Sequence, residues 1–509
     1  MRTKAMTRTL CAIVLTAFLH AFQQPACAQG KEEINKAAAL LKGGSESEKA
    51  PAAQKLATIG SAEALEPLFE ALTSEPDAEI AAQVGVALEK LTNDAGFKAL
   101  AKQLSKWSDG RGIFAAWWAL TGIARGKTAA GDELIKSMLL QAGKAVYLRA
   151  AAFEALGEAA RVDCDSWLIE QLRGYKKDPA EREIIGILSA LTVAPKLVNP
   201  ASPDNASRNG IMDALVLVLS LTANDRVKYF ASHALASITG AKPYLDVEFW
   251  RTWLKNNGGG NGPAPEDKRT GVRFFEAEAA GRKIAFCIDI SGSMNFKLKL
   301  DAQNKGPVTR EPGKQDGPDY AGVTTRLELA KTELIWTLAH LPDDYYFNII
   351  TYSKDHQLLD KTVSGFVKAS KDNRTKFGNL VRALKAEGGT NIHGGLLDSF
   401  RLIEKGMAEE NPAYDAKALI NGADTIFFLT DGHPSWSDDT TETEIRRDGQ
   451  TYGTGKMVDP KNIVKWAALT NRFRKVVINT IGIGDHAKEL LEELAKLTFG
   501  VYIDRTGLG

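Results

Sequence analysis

From about Lys31 to Asn257, apolar positions return every three or four residues. Alanine and leucine dominate them, and alternation of β-branched residues is scarce. That spacing places apolar side chains on one helix face, so it predicts helix after helix. From about Lys283 the rhythm changes. Short, nearly continuous apolar runs, "KIAFCIDI", "YYFNIITY", "ADTIFFLTD", "VVINTIGIG" and "VYIDR", are separated by amphipathic stretches: "TTRLELAKTELIWTLAHL", "DNRTKFGNLVRALKA", "IHGGLLDSFRLIEK", "PKNIVKWAALTNRFR" and "AKELLEELAKLT". The runs read as strands buried on both faces and the stretches as helices. Together they predict a mainly parallel, doubly wound α/β sheet with a Rossmann-like arrangement. Between the two regions, "NNGGGNGPAPEDKRTG" (Asn256–Gly271) has no periodicity and reads as a flexible linker.

The helical region repeats itself. Taking the shared leucine of "QKLATIG", "VALEKLT", "WALTGIA", "EALGEAA", "SALTVA" and "HALASIT" as a marker gives Leu56, Leu88, Leu120, Leu156, Leu191 and Leu235, at steps of 32, 32, 36, 35 and 44 residues. A second amphipathic helix lies between markers, as in "EALEPLFEAL" (Glu63–Leu72) and "DSWLIEQLRG" (Asp165–Gly174). Two helices per repeat at this period predict an all-α solenoid. It resembles HEAT-like repeats, with a single irregular bundle as the alternative. The widest step holds "APKLVNPASPDNASRNG" (Ala194–Gly210), which reads as a loop. The organisation is therefore multidomain: a signal peptide over 1–28, a HEAT-like solenoid over 31–255, a linker over 256–280 and an α/β domain over 281–509.

The leader reading rests on Arg2, Lys4 and Arg8 before the apolar "LCAIVLTAFLHAF" (Leu10–Phe22) and the small-x-small "ACA" (Ala26–Ala28). It implies an exported chain: periplasmic, cell-surface or extracellular. No later segment has the long uncharged run of a membrane span. Loss of the three leader cations takes the basic residues from 64 to 61 against 63 acidic ones, a net charge near −2. That balance gives no support to nucleic-acid binding. Cys11 and Cys27 lie in the leader. Cys164 and Cys287 remain in different predicted domains, so stability is expected from core packing rather than a crosslink.

Chemistry concentrates at the ends of the predicted strands. The first strand runs into "CIDISGSMNF", where Asp289, Ser291 and Ser293 alternate. In an extended loop, alternate side chains point the same way. "GGTNIHGGL" (Gly388–Leu396) brings Thr390 to a second loop, and "FFLTDG" (Phe427–Gly432) puts Asp431 at the end of another strand. In open α/β sheets, sites form outside the carboxyl ends of the strands. A hard divalent cation takes oxygen ligands, and Mg²⁺ keeps several waters in octahedral geometry. Three hydroxyls and two carboxylates are such a set: the carboxylates roughly neutralise the ion, and the hydroxyls leave it electrophilic.

These three segments, in this order, resemble the von Willebrand factor A domain with its metal-ion-dependent adhesion site. The resemblance covers roughly Arg282 to the C-terminus. It implies that Asp289, Ser291, Ser293, Thr390 and Asp431 hold Mg²⁺, with Mn²⁺ or Ca²⁺ as alternatives. It also implies that the open coordination position takes a carboxylate from a protein partner. The chain is then an adhesion-type, protein-binding adaptor and not an enzyme, with the helical repeats as a second interaction surface. Two alternatives stay open. One is a structural protein of the cell envelope with a purely structural metal. The other is a metal-dependent hydrolase, which would need a base beside the ion; both carboxylates are already committed to it.

Two long insertions, Asn295–Val323 and Gly432–Asp459, leave strand ends on the same side. They are expected either to shape a rim, with Trp436 and Tyr452 as partner contacts, or to be solvated excursions. "GIARGKT" (Gly122–Thr128) is one residue short of a phosphate-binding loop and follows a helix, so it reads as a repeat turn. His433 and His393 read as a solvated loop residue and a packing or capping residue. Asn205 and Asn373 fall in short glycosylation-type patterns.

Overall fold

A computed structural model describes residues 30–74, 78–107, 110–142, 145–177, 179–256, 271–298, 317–408, 411–446 and 451–505. The leader, most of the expected linker (257–270) and parts of both insertions (299–316 and 447–450) lie outside the described residues. The chain divides into two compact units, Met1–Cys164 and Asp165–Gly509. Among the described residues, no helix is long and apolar enough to cross a membrane.

The first unit is helical. Its helices Glu46–Ile59, Ala78–Leu88, Gly110–Gly126 and Val146–Glu158 pack in sequence against one another, and Ala62–Thr73, Asp94–Leu104 and Ala129–Leu139 form a second rank. Leu56, Leu88, Leu120 and Leu156 all fall in the first rank and are fully buried. Side-chain caps start the second-rank helices: Ser61, Asn93 and Thr128 each accept the third N–H of their helix. Asn93 also donates to the Ile59 carbonyl, tying one repeat to the next. The buried Arg161 guanidinium pairs with Asp132 at 2.9 Å and Asp163 at 2.7 Å and also donates to the Ala124 carbonyl. The "GIARGKT" stretch is the end of helix Gly110–Gly126 and the turn to the next helix, capped by Thr128.

The second unit contains helices and an α/β region. Asp165–Arg173, Ala206–Leu221 and Val247–Lys255 pack in sequence, as do Glu181–Val193 and Asp225–Thr239. Leu191 and Leu235 are again fully buried. The α/β region is built on a seven-stranded sheet: β1 (Lys283–Asp289), β2 (Tyr346–Tyr352), β3 (His356–Leu358), β4 (Val367–Lys368), β5 (Thr425–Thr430), β6 (Val477–Ile483) and β7 (Tyr502–Arg505). The order is β7-β6-β5-β1-β2-β3, with β4 also on β2. Strands β1, β2, β5, β6 and β7 run parallel, whereas the short β3 and β4 run antiparallel to β2.

Alternation along the strands divides the core. Phe286, Phe347, Phe427 and Ile481 face helices Arg326–His340 and Lys371–Arg382, burying Leu334 and Phe377. Cys287, Ile350, Phe428 and Ile478 face helices Ile392–Arg401, Pro460–Thr470 and Lys488–Lys496. Cys164 and Cys287 are buried free thiols. From Val272, the last part of the expected linker joins this core. Arg273–Phe274 pairs with Ala277–Glu278, and Phe274 packs edge-on against Phe286 and Phe427. Two adjacent phenylalanines supply the apolar area that draws the segment in.

Helix Asp225–Thr239 is fastened to the α/β region at the amino ends of the strands. Arg226 pairs with Asp424 at 3.3 Å and donates to the carbonyls of Arg474 and Lys475. Tyr229 donates to the Phe499 carbonyl, and Arg282 donates to Asp225. The polar strand ends on the opposite side are left for other chemistry.

Helix contact in the first unit depends on glycine. A Cβ on Gly122 would stand 2.0 Å from the Gly85 carbonyl oxygen on the neighbouring helix. Backbone cannot yield as a flexible side chain can. Gly122→Val is expected to destabilise the protein by more than about 2 kcal/mol, read by denaturant unfolding. Wild-type stability would show that the helices do not approach this closely.

Candidate functional site

The sheet reverses direction of winding between β1 and β5. From β1 the chain builds outward to β2; β5, β6 and β7 lie on the other side. Their helices therefore leave to opposite faces and open a crevice at the carboxyl ends. Asp289 ends β1, and Asp431 follows β5 directly.

Both carboxylates are out of water, with Asp289 0% and Asp431 1% exposed. Each has partners. Asp289 accepts the Ser291 N–H and the Thr430 hydroxyl, both at 2.7 Å. Asp431 accepts the Ser293 hydroxyl at 2.7 Å on Oδ1 and the Arg326 guanidinium at 2.8 Å on Oδ2. The Ser291 and Ser293 hydroxyl oxygens lie 3.1 Å apart. Burial pushes the Asp289 carboxyl up to about 7, with repulsion from Asp431 next in size. Burial also raises Asp431, against the pull of Arg326 and Ser293.

Thr390 arrives from a separate loop. Gly292 donates to the Gly388 carbonyl at 3.0 Å, and Glu387 donates to Ile290, bringing the two loops together. Gly388 has φ +81°, a conformation that favours glycine. Ser435 clamps Thr390 by accepting its N–H and donating its own N–H to the Thr390 carbonyl. The Thr390 and Ser293 hydroxyls both border Gly432, standing 3.5 and 3.8 Å from where its Cβ would be. Thus Asp289, Ser291, Ser293, Thr390 and Asp431 gather at one crevice, linked through oxygen contacts or the shared border of Gly432.

The oxygen spacings suit a small hard cation. Ligands about 2.1 Å from a metal at adjacent corners of an octahedron are about 3.0 Å apart. The Ser291–Ser293 and Ser293–Asp431 separations of 3.1 and 2.7 Å bracket that edge. Among the described residues there is no group of three or more His, Cys, Asp or Glu arranged to hold a metal. The cluster has only two carboxylates and draws its other oxygens from hydroxyls.

Several supporting residues escape the sequence reading. Arg326 lies unremarked within the quoted "TTRLELAKTELIWTLAHL", yet it is buried against Asp431. Thr430 sits within the quoted "FFLTDG", and its place beside Asp431 was the available signal. Phe296, three residues after Ser293, is 58% exposed, with the Arg326 guanidinium over its ring at 5.4 Å from the ring centre. Of the two rim candidates, Trp436 is half-buried beside Lys354, and its backbone N–H donates to the Thr390 carbonyl. Tyr452 is 9% exposed, under Arg446. His433 is exposed. His393 packs edge-on against Trp466, and burial lowers its imidazole.

His356 on β3 joins the loops. Its ring nitrogens meet Asp398 at 2.6 Å and Asp438 at 3.1 Å, and Asn391 donates to Asp438. Burial opposes the imidazolium, but its bonds to Asp398 and then Asp438 outweigh burial and raise it to about 10. The clip tethers the Asp431 loop to the Thr390 loop.

No family model and no curated protein sequence matches the chain. Among solved structures it is similar to von Willebrand factor type A from Catenulispora acidiphila: 17% identity over 44% of this chain and 38% of that one, with a TM-score of 0.28. The chain thus spans well under half of that protein's length in the match.

The raised His356 couples the loop clip to pH. Its stabilising contribution is full below its unfolded value near 6.5 and is lost as pH rises through about 10. His356→Gln is expected to cost roughly 2 kcal/mol at pH 6 and to flatten the stability profile between pH 7 and pH 10. Unfolding curves across that range check this; an unchanged pH slope would contradict the clip.

Proposed function

We propose that this chain is an exported, non-enzymatic protein-binding adaptor. It holds a divalent cation on Ser291, Ser293, Thr390, Asp289 and Asp431 and docks an acidic group of a partner protein on that cation. The observation that carries this reading is the convergence of those oxygens at the switch point, with octahedral edge spacing around Ser293. When bound, the ion supplies an electrophilic position for an oxygen ligand. Ser291, Ser293 and Thr390 offer neutral oxygens, while Asp289 and Asp431 supply the balancing charge.

Mg²⁺ suits the set best, with Mn²⁺ next. Arg326 engages Oδ2 of Asp431, leaving Oδ1 toward Ser293. One-oxygen ligation fits six-coordinate Mg²⁺ better than Ca²⁺, which takes 6–8 ligands and often both oxygens of a carboxylate. The internal bonds of the cluster favour docking over a purely structural metal, because Ser291, Thr430, Ser293 and Arg326 already give both carboxylates hydrogen-bond partners without an ion. Exposed Phe296 and half-buried Trp436 supply apolar contact beside the cation. The basic, apolar, small-residue leader supports export. The two ranks of paired helices support the HEAT-like solenoid reading and, with it, a second surface for proteins.

The test is affinity capture from an exported-protein fraction, with the mature chain as bait in Mg²⁺ or in chelator, and Ser291→Ala beside wild type. A partner is expected whose retention falls at least about tenfold in chelator and in Ser291→Ala. A partner indifferent to both would move binding away from the crevice.

A further inference from the structure

We propose that Arg326 sets the charge of the cation crevice, so that the loaded site takes an anionic oxygen ligand in preference to water. This rests on the cation reading above. It assigns a specificity role to a residue that supplies no ligand oxygen.

The placement of the guanidinium is built from several directions. Arg326 opens helix Arg326–His340, whose start is fixed by Thr325 and Glu328 in a reciprocal capping pair. Its backbone N–H donates to the Phe296 carbonyl, which ties the helix to the segment after Ser293. Its side chain, 9% exposed, reaches Asp431 Oδ2 at 2.8 Å and the Asp431 carbonyl at 3.3 Å. Gly484, at φ +66°, lies against the guanidinium; a Cβ there would come within 2.5 Å of its carbon. The Arg326 Nε has no hydrogen-bond partner among the described residues. A buried cation is therefore held against one ligand carboxylate in a place that leaves the other oxygen of that carboxylate facing Ser293.

Charge follows from this arrangement. A divalent ion with two carboxylates is neutral, and such a site has no long-range pull on an anion. Arg326 adds one positive charge behind Asp431, so the loaded crevice is net positive. Little water separates the charges, and their interaction is stronger than at an open surface. The arginine weakens binding of the bare cation and strengthens binding of a carboxylate to the loaded site. Cation and carboxylate then favour each other reciprocally. The outcome is a site that rewards the partner's acidic group instead of saturating with metal and water alone.

Calorimetry on the mature chain with Mg²⁺ and with Mn²⁺ tests this, together with water-proton relaxation of the Mn²⁺-loaded protein during acetate addition. Arg326→Gln keeps a hydrogen-bond donor for Asp431 but removes the charge. It is expected to bind Mg²⁺ at least about tenfold tighter than wild type and to lose most acetate displacement of metal-bound water. Arg326→Lys, which keeps the charge, should behave as wild type in both. In wild type, acetate should tighten Mn²⁺ binding and neutral acetamide should not, a comparison that stands even if Arg326→Gln fails to fold. Equal or weaker Mg²⁺ binding by folded Arg326→Gln, or acetate that leaves wild-type Mn²⁺ affinity unchanged, overturns the role of Arg326. Mn²⁺ binding that Ser291→Ala leaves untouched would instead overturn the cation reading on which it rests.

Discussion

Two carboxylates face one crevice with almost no water around them, and the rest of the site answers to that constraint. Asp289 and Asp431 are brought together because they end neighbouring parallel strands at the reversal of the sheet. Buried like charges cannot both stay ionised without compensation. The chain supplies it locally: a backbone N–H and Thr430 for Asp289, and Ser293 and Arg326 for Asp431. Asp289 is nevertheless pushed up to about 7 by its burial and by its neighbour. In the function proposed above, a divalent cation would relieve what remains.

The scaffold separates holding from presenting. Helix Asp225–Thr239 is bonded to the amino ends of the strands through Arg226, Tyr229 and Asp225. The oxygen cluster occupies the carboxyl ends. A load taken at the crevice is thus borne by a sheet fixed from the opposite side to helices of the same compact unit. The loops around the crevice are cross-tied by side chains, with Ser435 on Thr390 and His356 between Asp398 and Asp438. Such ties hold the crevice oxygens in place, and for the cation proposed above they would lower the ordering cost of binding.

Much of this was legible in the sequence because the parallel strands are long apolar runs. The ends of those runs placed Asp289 and Asp431, whereas Ser291 and Ser293 meet across the start of a 3-10 turn, Gly292–Asn295, and not along the extended loop that their alternation suggested. The marker leucines likewise gave the helical pairing, since each falls on a buried helix face. What stayed hidden has physical causes. Strand β3 is only three residues and too short for any period to register. Helix Ile392–Arg401 stops before the amphipathic stretch does, because Leu402–Ile403 turns into a hairpin with Gly406–Met407. The hairpin from Val272 follows a glycine- and proline-rich run that masks its two phenylalanines. Arg326 looks like any cation at a helix start; only the tertiary fold aims it at Asp431.

Anomalous diffraction from a crystal of the protein grown or soaked with Mn²⁺ would decide directly whether the crevice holds a cation. One strong peak is expected at the carboxyl ends of β1 and β5, about 2.1–2.2 Å from the Ser291 and Ser293 hydroxyl oxygens, with Thr390 and the two aspartates around it. A fully liganded crystal without density there, or with the ion bound only elsewhere, would contradict the cation reading.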